Sequence, residues 1–395
     1  MNILITGANF NNKGAQLMLE SLVASIKKRI PQSKICVSPL LNNDKGIKLL
    51  EVEKLNFPLF HYGSGRKFIL SLKYPLLVSM LLKIKGKKVS GSIELEDIDA
   101  VFDISGFAFG DKWGNAPLKD LGIFASMMKG KKVKFILFPQ AFGSFLLEGM
   151  RQDIKKVVDN VDLLITRDKS SYEYVVDSVG LGYPNIQLYP DITLTFKKSI
   201  TIADTQLSGK FVAIVPNERM LDKASANWQS QYTQVMAKII DTILSSSDLN
   251  VVMLIHAQGD SEDAKVGKDI IAHLDERYSE RVSYYVEEDP VRLKSIIAKA
   301  RFIVGSRFHA LASALSSNVP CIATSWLHKY EMLFDDYESR EFSFADPDPE
   351  IYQRAIDLID ESFNARFRDK LDVTNVTLSQ KSEEMWATII EVLKK

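Results

Sequence analysis

Four consecutive residues, Ser306-Arg307-Phe308-His309, carry the densest chemistry in the chain. They follow an apolar run, Phe302-Ile303-Val304-Gly305, and open a segment in which Phe308, Leu311, Ala312 and Leu315 recur at helical spacing. A strand is therefore expected to run into a helix, with Ser306 as its N-cap. A helix start presents unpaired N–H groups and a partial positive charge, which suits an anion. Arg307 adds a planar, permanently charged fork for carboxylate or phosphate. His309 adds a group that carries a proton near neutral pH. The combination predicts a place where a small phosphorylated acid binds and reacts.

Other predicted strand ends supply candidate partners. Arg219, in Val215-Pro216-Asn217-Glu218-Arg219, is expected to face the same cleft as Arg307, so that the two arginines hold a phosphate and a carboxylate separately. Lys329, in Ser325-Trp326-Leu327-His328-Lys329, is expected to add positive charge there. The first loop, Gly7 to Gly14, is neither a Walker A loop nor a dinucleotide fingerprint, but Asn9, Asn12 and Lys13 make it polar enough to predict ligand contact. In the loop from Asp103 to Asp111, Gly106 frames a bend while Ser105 and Asp111 are candidates for a sugar hydroxyl. Gln140 follows another strand and is a candidate to orient a ligand. Arg167 is expected either to reach an anion or merely to start a helix capped by Thr166. His256 reads as a strand-end core residue, and His61 and His273 lack supporting context. No Cys/His metal spacing exists, and Asp191 and Asp260 are two isolated carboxylates, so neither a metal nor a cofactor is expected.

Strands must position these loops. Apolar runs at 2–6, 34–37, 100–104, 133–138, 163–166 and 186–189, and again at 211–215, 251–255, 282–285, 302–304 and 321–323, alternate with helical patterns. That alternation predicts parallel sheets covered on both faces. Two doubly wound, Rossmann-like domains facing across a cleft are expected, spanning 1–200 and 201–372, with a helix at 373–395 that packs back on the first. Ligands in such sheets sit outside the carboxyl ends of the strands.

Fifty basic residues balance fifty acidic ones, which disfavours nucleic acid as a partner. Cys36 and Cys321 lie in apolar runs and read as reduced core residues. The N-terminus enters a strand without a signal-peptide pattern, so a cytoplasmic protein is expected. One segment breaks the even charge. From Arg66 to Lys88 there are seven basic residues and no acidic one, interleaved with apolar residues and interrupted by Pro75. It is expected either to be a buried helix with solvated lysine ends or to lie on an anionic membrane surface.

Together these residues resemble the polysaccharide pyruvyl transferase family. The resemblance rests on Gly7-Ala8-Asn9 through Asn12-Lys13-Gly14-Ala15, on Ser105-Gly106, Pro139-Gln140, Arg167-Asp168 and Pro190-Asp191. Most specifically it rests on Gly305-Ser306-Arg307-Phe308-His309-Ala310-Leu311, followed by Val319-Pro320-Cys321 and Lys329. It implies a GT-B-type enzyme that transfers a pyruvyl group from phosphoenolpyruvate, a co-substrate, to hydroxyls of a polysaccharide or lipid-linked sugar, forming a ketal. Arg307 and His309 match the family's Arg-x-His site, and Arg219 its other donor-binding arginine. The chain departs from the family in its glycine loops, with Gly106-Phe107-Ala108-Phe109-Gly110 where consecutive glycines are common and Ala15-Gln16 where an acid often follows. The competing expectations are a GT-B glycosyltransferase using a nucleotide sugar, which the absence of any acid from Phe308 to Val319 counts against, a sugar-nucleotide epimerase on the same fold, and a non-catalytic glycan-binding or membrane-associated protein.

Overall fold

Continuous apolar runs form the strands, and each strand hands the chain to a helix. In the computed structural model the order is β1 (Asn2–Thr6), α1 (Lys13–Arg29), β2 (Lys34–Val37), α2 (Asp44–Leu49), β3 (Glu53–Lys54), α3 (Arg66–Lys73), α4 (Pro75–Ile84), β4 (Ala100–Asp103), α5 (Ala116–Gly130), β5 (Lys134–Gln140), α6 (Met150–Asn160), β6 (Leu163–Thr166), α7 (Lys169–Val179) and β7 (Ile186–Leu188). It continues through β8 (Phe211–Val215), α8 (Arg219–Asp222), α9 (Ala226–Ser246), β9 (Asn250–Ile255), α10 (Glu262–Ala272), β10 (Val282–Val286), α11 (Pro290–Ile297), β11 (Ile303–Gly305), α12 (Phe308–Leu315), β12 (Cys321–Thr324), α13 (His328–Asp336), β13 (Ser343–Phe344), α14 (Glu350–Ile359) and α15 (Glu361–Lys394). The structure describes all residues except 11, 42, 88, 198–199, 202–206, 208–209 and 257–260, and the side chains of Lys45 and His328. Asp260, the basic residue Lys88 and the His328 side chain therefore lie outside the described residues.

The chain divides into two compact units. One comprises 1–11, 18–192 and 381–395, and the other 12–17 and 193–380. The expected divisions at 200/201 and 372/373 thus give way to changes at 192/193 and 380/381. The last helix begins at Glu361 rather than near 373, because the helical sequence runs unbroken from there. Its Trp386 meets Phe138 of the first unit's core at 5.4 Å between ring centroids.

The first unit's sheet has the order β3-β2-β1-β4-β5-β6-β7 and the second β10-β9-β8-β11-β12-β13. All strand pairs are parallel. Residues such as Ile3, Leu4, Val251 and Ile303 are buried on both faces, as parallel sheets require. Cys36 and Cys321 are free and buried in these strands. In each sheet the winding reverses once, between β1 and β4 in the first and between β8 and β11 in the second. Parallel sheets open a crevice at such a switch point. The loops after those four strands carry Asn9, Ser105, Arg219 and Arg307. The two edge strands β3 and β13, two residues each, have no sequence counterpart because so short a run has no readable period.

Candidate functional site

The switch point of the second unit is built around Ser306. Its N–H donates to the Val215 carbonyl at 3.0 Å, and its carbonyl accepts from Asn217 Nδ2 at 2.7 Å and Tyr330 Oη at 2.8 Å. Its hydroxyl hydrogen-bonds Tyr232 Oη at 2.6 Å and also Thr324 Oγ1. With no exposed surface, Ser306 is a hub that joins β8, β11 and β12. It does not cap α12: Arg307 occupies the N-cap position, in extended backbone, and no side chain caps the helix. Burial consumes the serine hydroxyl, so the assignment of Ser306 to direct ligand contact gives way to a positioning role.

Arg307 is aimed by an acid the sequence reading missed. Its Nε and Nη2 donate to Asp263 Oδ2 and Oδ1 at 2.7 and 2.5 Å. Asp263 is wholly buried near the start of α10 and its Oδ1 also accepts from the Glu218 N–H at 2.9 Å. Burial alone would lower the guanidinium's proton affinity, but the Asp263 carboxylate outweighs it and raises it. A guanidinium has five N–H donors. Among the described residues no other group takes the three that remain, and the side chain stays 25% exposed. Asn217 completes the arrangement by accepting from the Arg219 N–H at 3.1 Å while it donates to Ser306. The two arginine-bearing loops are therefore stapled together by Asn217 and Asp263. The Arg219 side chain itself pairs with Asp222 at 2.7 Å and Glu218 at 3.4 Å, and the Glu218 carboxylate also acts on the Arg307 charge.

Around Arg307 lies a concentration of basic side chains. Lys13, in the first turn of α1, is 5% exposed, and its Nζ donates to the Glu287 carbonyl. Burial pulls its ammonium down to about 8 against the opposing pull of Glu287, Glu288 and Asp263. His256, just past β9, is held well below the ordinary imidazole range by burial first and then by Arg307, Lys13 and His309. That second effect places positive groups near His256, which is itself buried at the strand end, as a core residue would be. His309 is half-buried in the first turn of α12. Its ring lies against Gly14, where an added Cβ would come within 2.0 Å of Nδ1. Gly14 is thus the position that lets helix backbone approach the imidazole. Asn12 accepts from the N–H groups of Gly14 and Ala15 at 2.9 and 3.3 Å and so caps α1; its side-chain oxygen orders the helix that carries Lys13. Lys329 sits over the rings of Phe308, Tyr330 and Trp326 at 5.1, 5.6 and 6.0 Å, which places its ammonium beside the Arg-x-His turn.

The remaining candidates belong to the first unit. A cavity of about 520 Å³ opens at its switch point, lined by Asn9, Ser38, His61, Tyr62 and Ser105 with Phe10, Leu40 and Leu59. Gly7 has φ +74°, and a Cβ there would stand 2.4 Å from both the N and Oγ of Ser105, so the two loops can meet only at glycine. Gly106, at φ +74°, turns the second loop away. Beneath the cavity Asp103 accepts from Thr6 Oγ1 at 2.6 Å, the Ser105 N–H at 3.0 Å and Gln140 Nε2 at 2.9 Å. Gln140 is fully buried and orients this network, not a ligand. Asp111 is likewise committed, accepting from Ser144 Oγ at 2.8 Å and from the N–H groups of Leu146 and Leu147 at 2.9 Å. Burial would raise its carboxyl, and these bonds hold it below the usual range. Arg167 is buried in an ion pair with Asp191 at 3.0 Å, and Asp168, not Thr166, caps α7. Among the described residues no cluster of three metal-ligating side chains exists.

The sequence marks Asp263 only as an acid in a first helical turn, and Asn217 carries no local signal of its role. The likeness to known proteins agrees with the geometry. Solved structures share the GT-B fold. A UDP-GlcNAc 2-epimerase from Neisseria meningitidis, bound to UDP-GlcNAc, aligns with a TM-score of 0.56 at 11% identity, over 99% of this chain and 100% of that one. The N-terminal domain of trehalose-6-phosphate phosphatase from Candida albicans aligns at 0.56 and 10% identity, over 99% and 98%. A UDP-N-acetylglucosamine 2-epimerase from Rickettsia bellii aligns at 0.53 and 12%, over 100% and 96%. At such identities only the fold is shared. No curated protein sequence matches the chain. The family model for polysaccharide pyruvyl transferase matches residues 12–328, a span that begins at the cap of α1 and ends at α13, so the chain belongs to the polysaccharide pyruvyl transferase family.

Proposed function

We propose that the protein transfers a pyruvyl group from phosphoenolpyruvate to two hydroxyls of a sugar, in a polysaccharide or its lipid-linked precursor, forming a cyclic ketal and releasing phosphate. The observation that carries this reading is the grouping of Lys13, His256, His309 and Arg307, with three guanidinium N–H donors that no other described residue takes beside the fork to Asp263. Such a grouping suits a small molecule bearing both phosphate and carboxylate. Arg307 and Lys13 bind the anionic groups, with Arg219 and Lys329 adding charge at the rim.

The chemistry proceeds by protonation of the terminal alkene carbon, which leaves the phosphate-bearing carbon electrophilic. One sugar hydroxyl adds there, the carbon–oxygen bond to phosphate breaks, and the neighbouring hydroxyl closes the ring. Of the two hydroxyl protons, one balances the proton gained by carbon and the other leaves with phosphate. His309 moves these protons. The first unit's cavity, with Asn9 and Ser105 at its wall, receives the acceptor sugar.

A phosphate-release assay with phosphoenolpyruvate against a panel of nitrophenyl and lipid-linked sugars tests the proposal. Acceptor-dependent phosphate release is expected. No release with any acceptor, alongside turnover of a nucleotide-sugar control, would overturn it.

A further inference from the structure

We propose that the α3–α4 elbow is a docking surface for an anionic lipid bilayer. This goes beyond the transfer reaction and does not depend on it. The basic segment is two helices, α3 and α4, separated at Pro75, the first residue of α4. Phe68 anchors the first against the rings of Tyr62 and Phe124 at 5.6 and 6.3 Å. Val78 and Leu82, four residues apart, fix the buried face of the second. The opposite face is apolar and faces water. Leu76, Met80 and Ile84 form one row and Leu77 and Leu81 the next, as i, i+4 spacing dictates. All five are exposed, Leu76 by 87% and Ile84 by 72%, and Leu70 and Tyr74 extend the patch onto α3. Exposing so many large apolar side chains to water brings no benefit to an isolated fold.

Charge decides what covers this patch. Arg66, Lys67, Lys73, Lys83, Lys85 and Lys87, at or just past the ends of the two helices, are all exposed. No Asp or Glu occurs between residues 66 and 93. A second copy meeting the same face would bring like charges together, so an isologous dimer is disfavoured. A layer of anionic headgroups over hydrocarbon satisfies both features at once, with basic ends in the headgroups and the leucine rows in the acyl boundary. No helix among the described residues is long and apolar enough to cross a membrane, so the contact lies on the surface.

Flotation of the full chain with vesicles of equal parts phosphatidylcholine and phosphatidylglycerol tests this, with pure phosphatidylcholine vesicles alongside. The protein is expected to float with the mixed vesicles, to sediment with the neutral ones, and to be released by high salt. Near an anionic surface each basic residue is worth about fivefold in binding, so Lys83→Glu with Lys87→Glu should lower the partition coefficient more than tenfold. Leu76→Glu with Ile84→Glu, at exposed positions that leave folding intact by circular dichroism, should abolish flotation. Failure of the unaltered protein to float, equal flotation on neutral vesicles, flotation unchanged by Leu76→Glu with Ile84→Glu, or a dimer in light scattering that this pair dissolves would each overturn the proposal.

Discussion

The Arg307 guanidinium is gripped by the Asp263 carboxylate through two parallel bonds, Nε to Oδ2 at 2.7 Å and Nη2 to Oδ1 at 2.5 Å. The acid is fully buried and the arginine is not. Asp263 thus fixes the fork's plane and leaves its outer edge for a ligand. Replacing Asp263 with Asn strands a largely buried cation, which in comparable pairs costs about 3–5 kcal/mol. Asp263→Asn should lower the melting temperature and also weaken phosphoenolpyruvate binding by roughly tenfold or more, since a misaimed fork loses its bidentate contact. Calorimetric melting and titration read the two effects. Normal donor affinity in a destabilised variant would reduce Asp263 to a purely structural acid.

Gly14 tests the position of the imidazole. An added methyl would stand 2.0 Å from Nδ1, so Gly14→Ala must move the His309 ring. Turnover should fall by about a hundredfold, as displacements near 1 Å cost in other sites, with donor affinity nearly retained. Turnover equal to the unaltered enzyme would show that the ring's place is unimportant. His309→Ala should abolish turnover with modest loss of donor binding, checked by the same assays.

Lys13 gives the site a pH signature. Its ammonium is held at about 8, below the 10.5 of an exposed lysine. A bound anion stabilises the charged form, so phosphoenolpyruvate affinity should be full below pH 8 and decline as the free site loses its proton above it. Lys13→Met should bind more weakly and show a flat profile from about pH 7 to about pH 9. The stability effect has the opposite sense. Between 8 and 10.5 the unfolded chain holds more protons than the folded one, so stability rises with pH across that window. Below it the burial penalty is present in full, about 3 kcal/mol. Lys13→Met should therefore melt higher than the unaltered protein at neutral pH, with the difference shrinking towards pH 10.5. A lower melting temperature for Lys13→Met at neutral pH would contradict the burial penalty.

In the first unit, Asn9→Ala should raise the acceptor KM severalfold while the phosphoenolpyruvate KM stays unchanged, because Asn9 lines the 520 Å³ cavity and belongs to a different unit from Arg307. Steady-state kinetics with each substrate varied in turn decides this. A changed phosphoenolpyruvate KM would place Asn9 at the donor.

Much of this was readable from sequence, for a definite reason. Strand ends are marked by apolar runs breaking into polar loops, so the positions of Arg219, Ser105 and Arg307 on their loops followed from local pattern. What local pattern cannot carry is pairing across distance. Asp263 lies 44 residues from Arg307, and no periodicity links them. Arg167 read as an anion contact or a helix start and Asp191 as an isolated carboxylate, and only the fold joins them in a buried ion pair. Ser306 had the type and place of a cap, but side chains from the loop after β8, from α9 and from α13 converge on its hydroxyl and carbonyl, and that convergence is a property of the tertiary fold. Gly14 acquires meaning only through the His309 ring that packs against it.

Isothermal titration of phosphoenolpyruvate into the full chain at neutral pH tests the central claim most directly. Saturable binding is expected, competed by inorganic phosphate, weakened in Arg307→Lys because the bidentate fork is lost, and accompanied by no heat from a nucleotide sugar. Binding of the nucleotide sugar with none of phosphoenolpyruvate would contradict it.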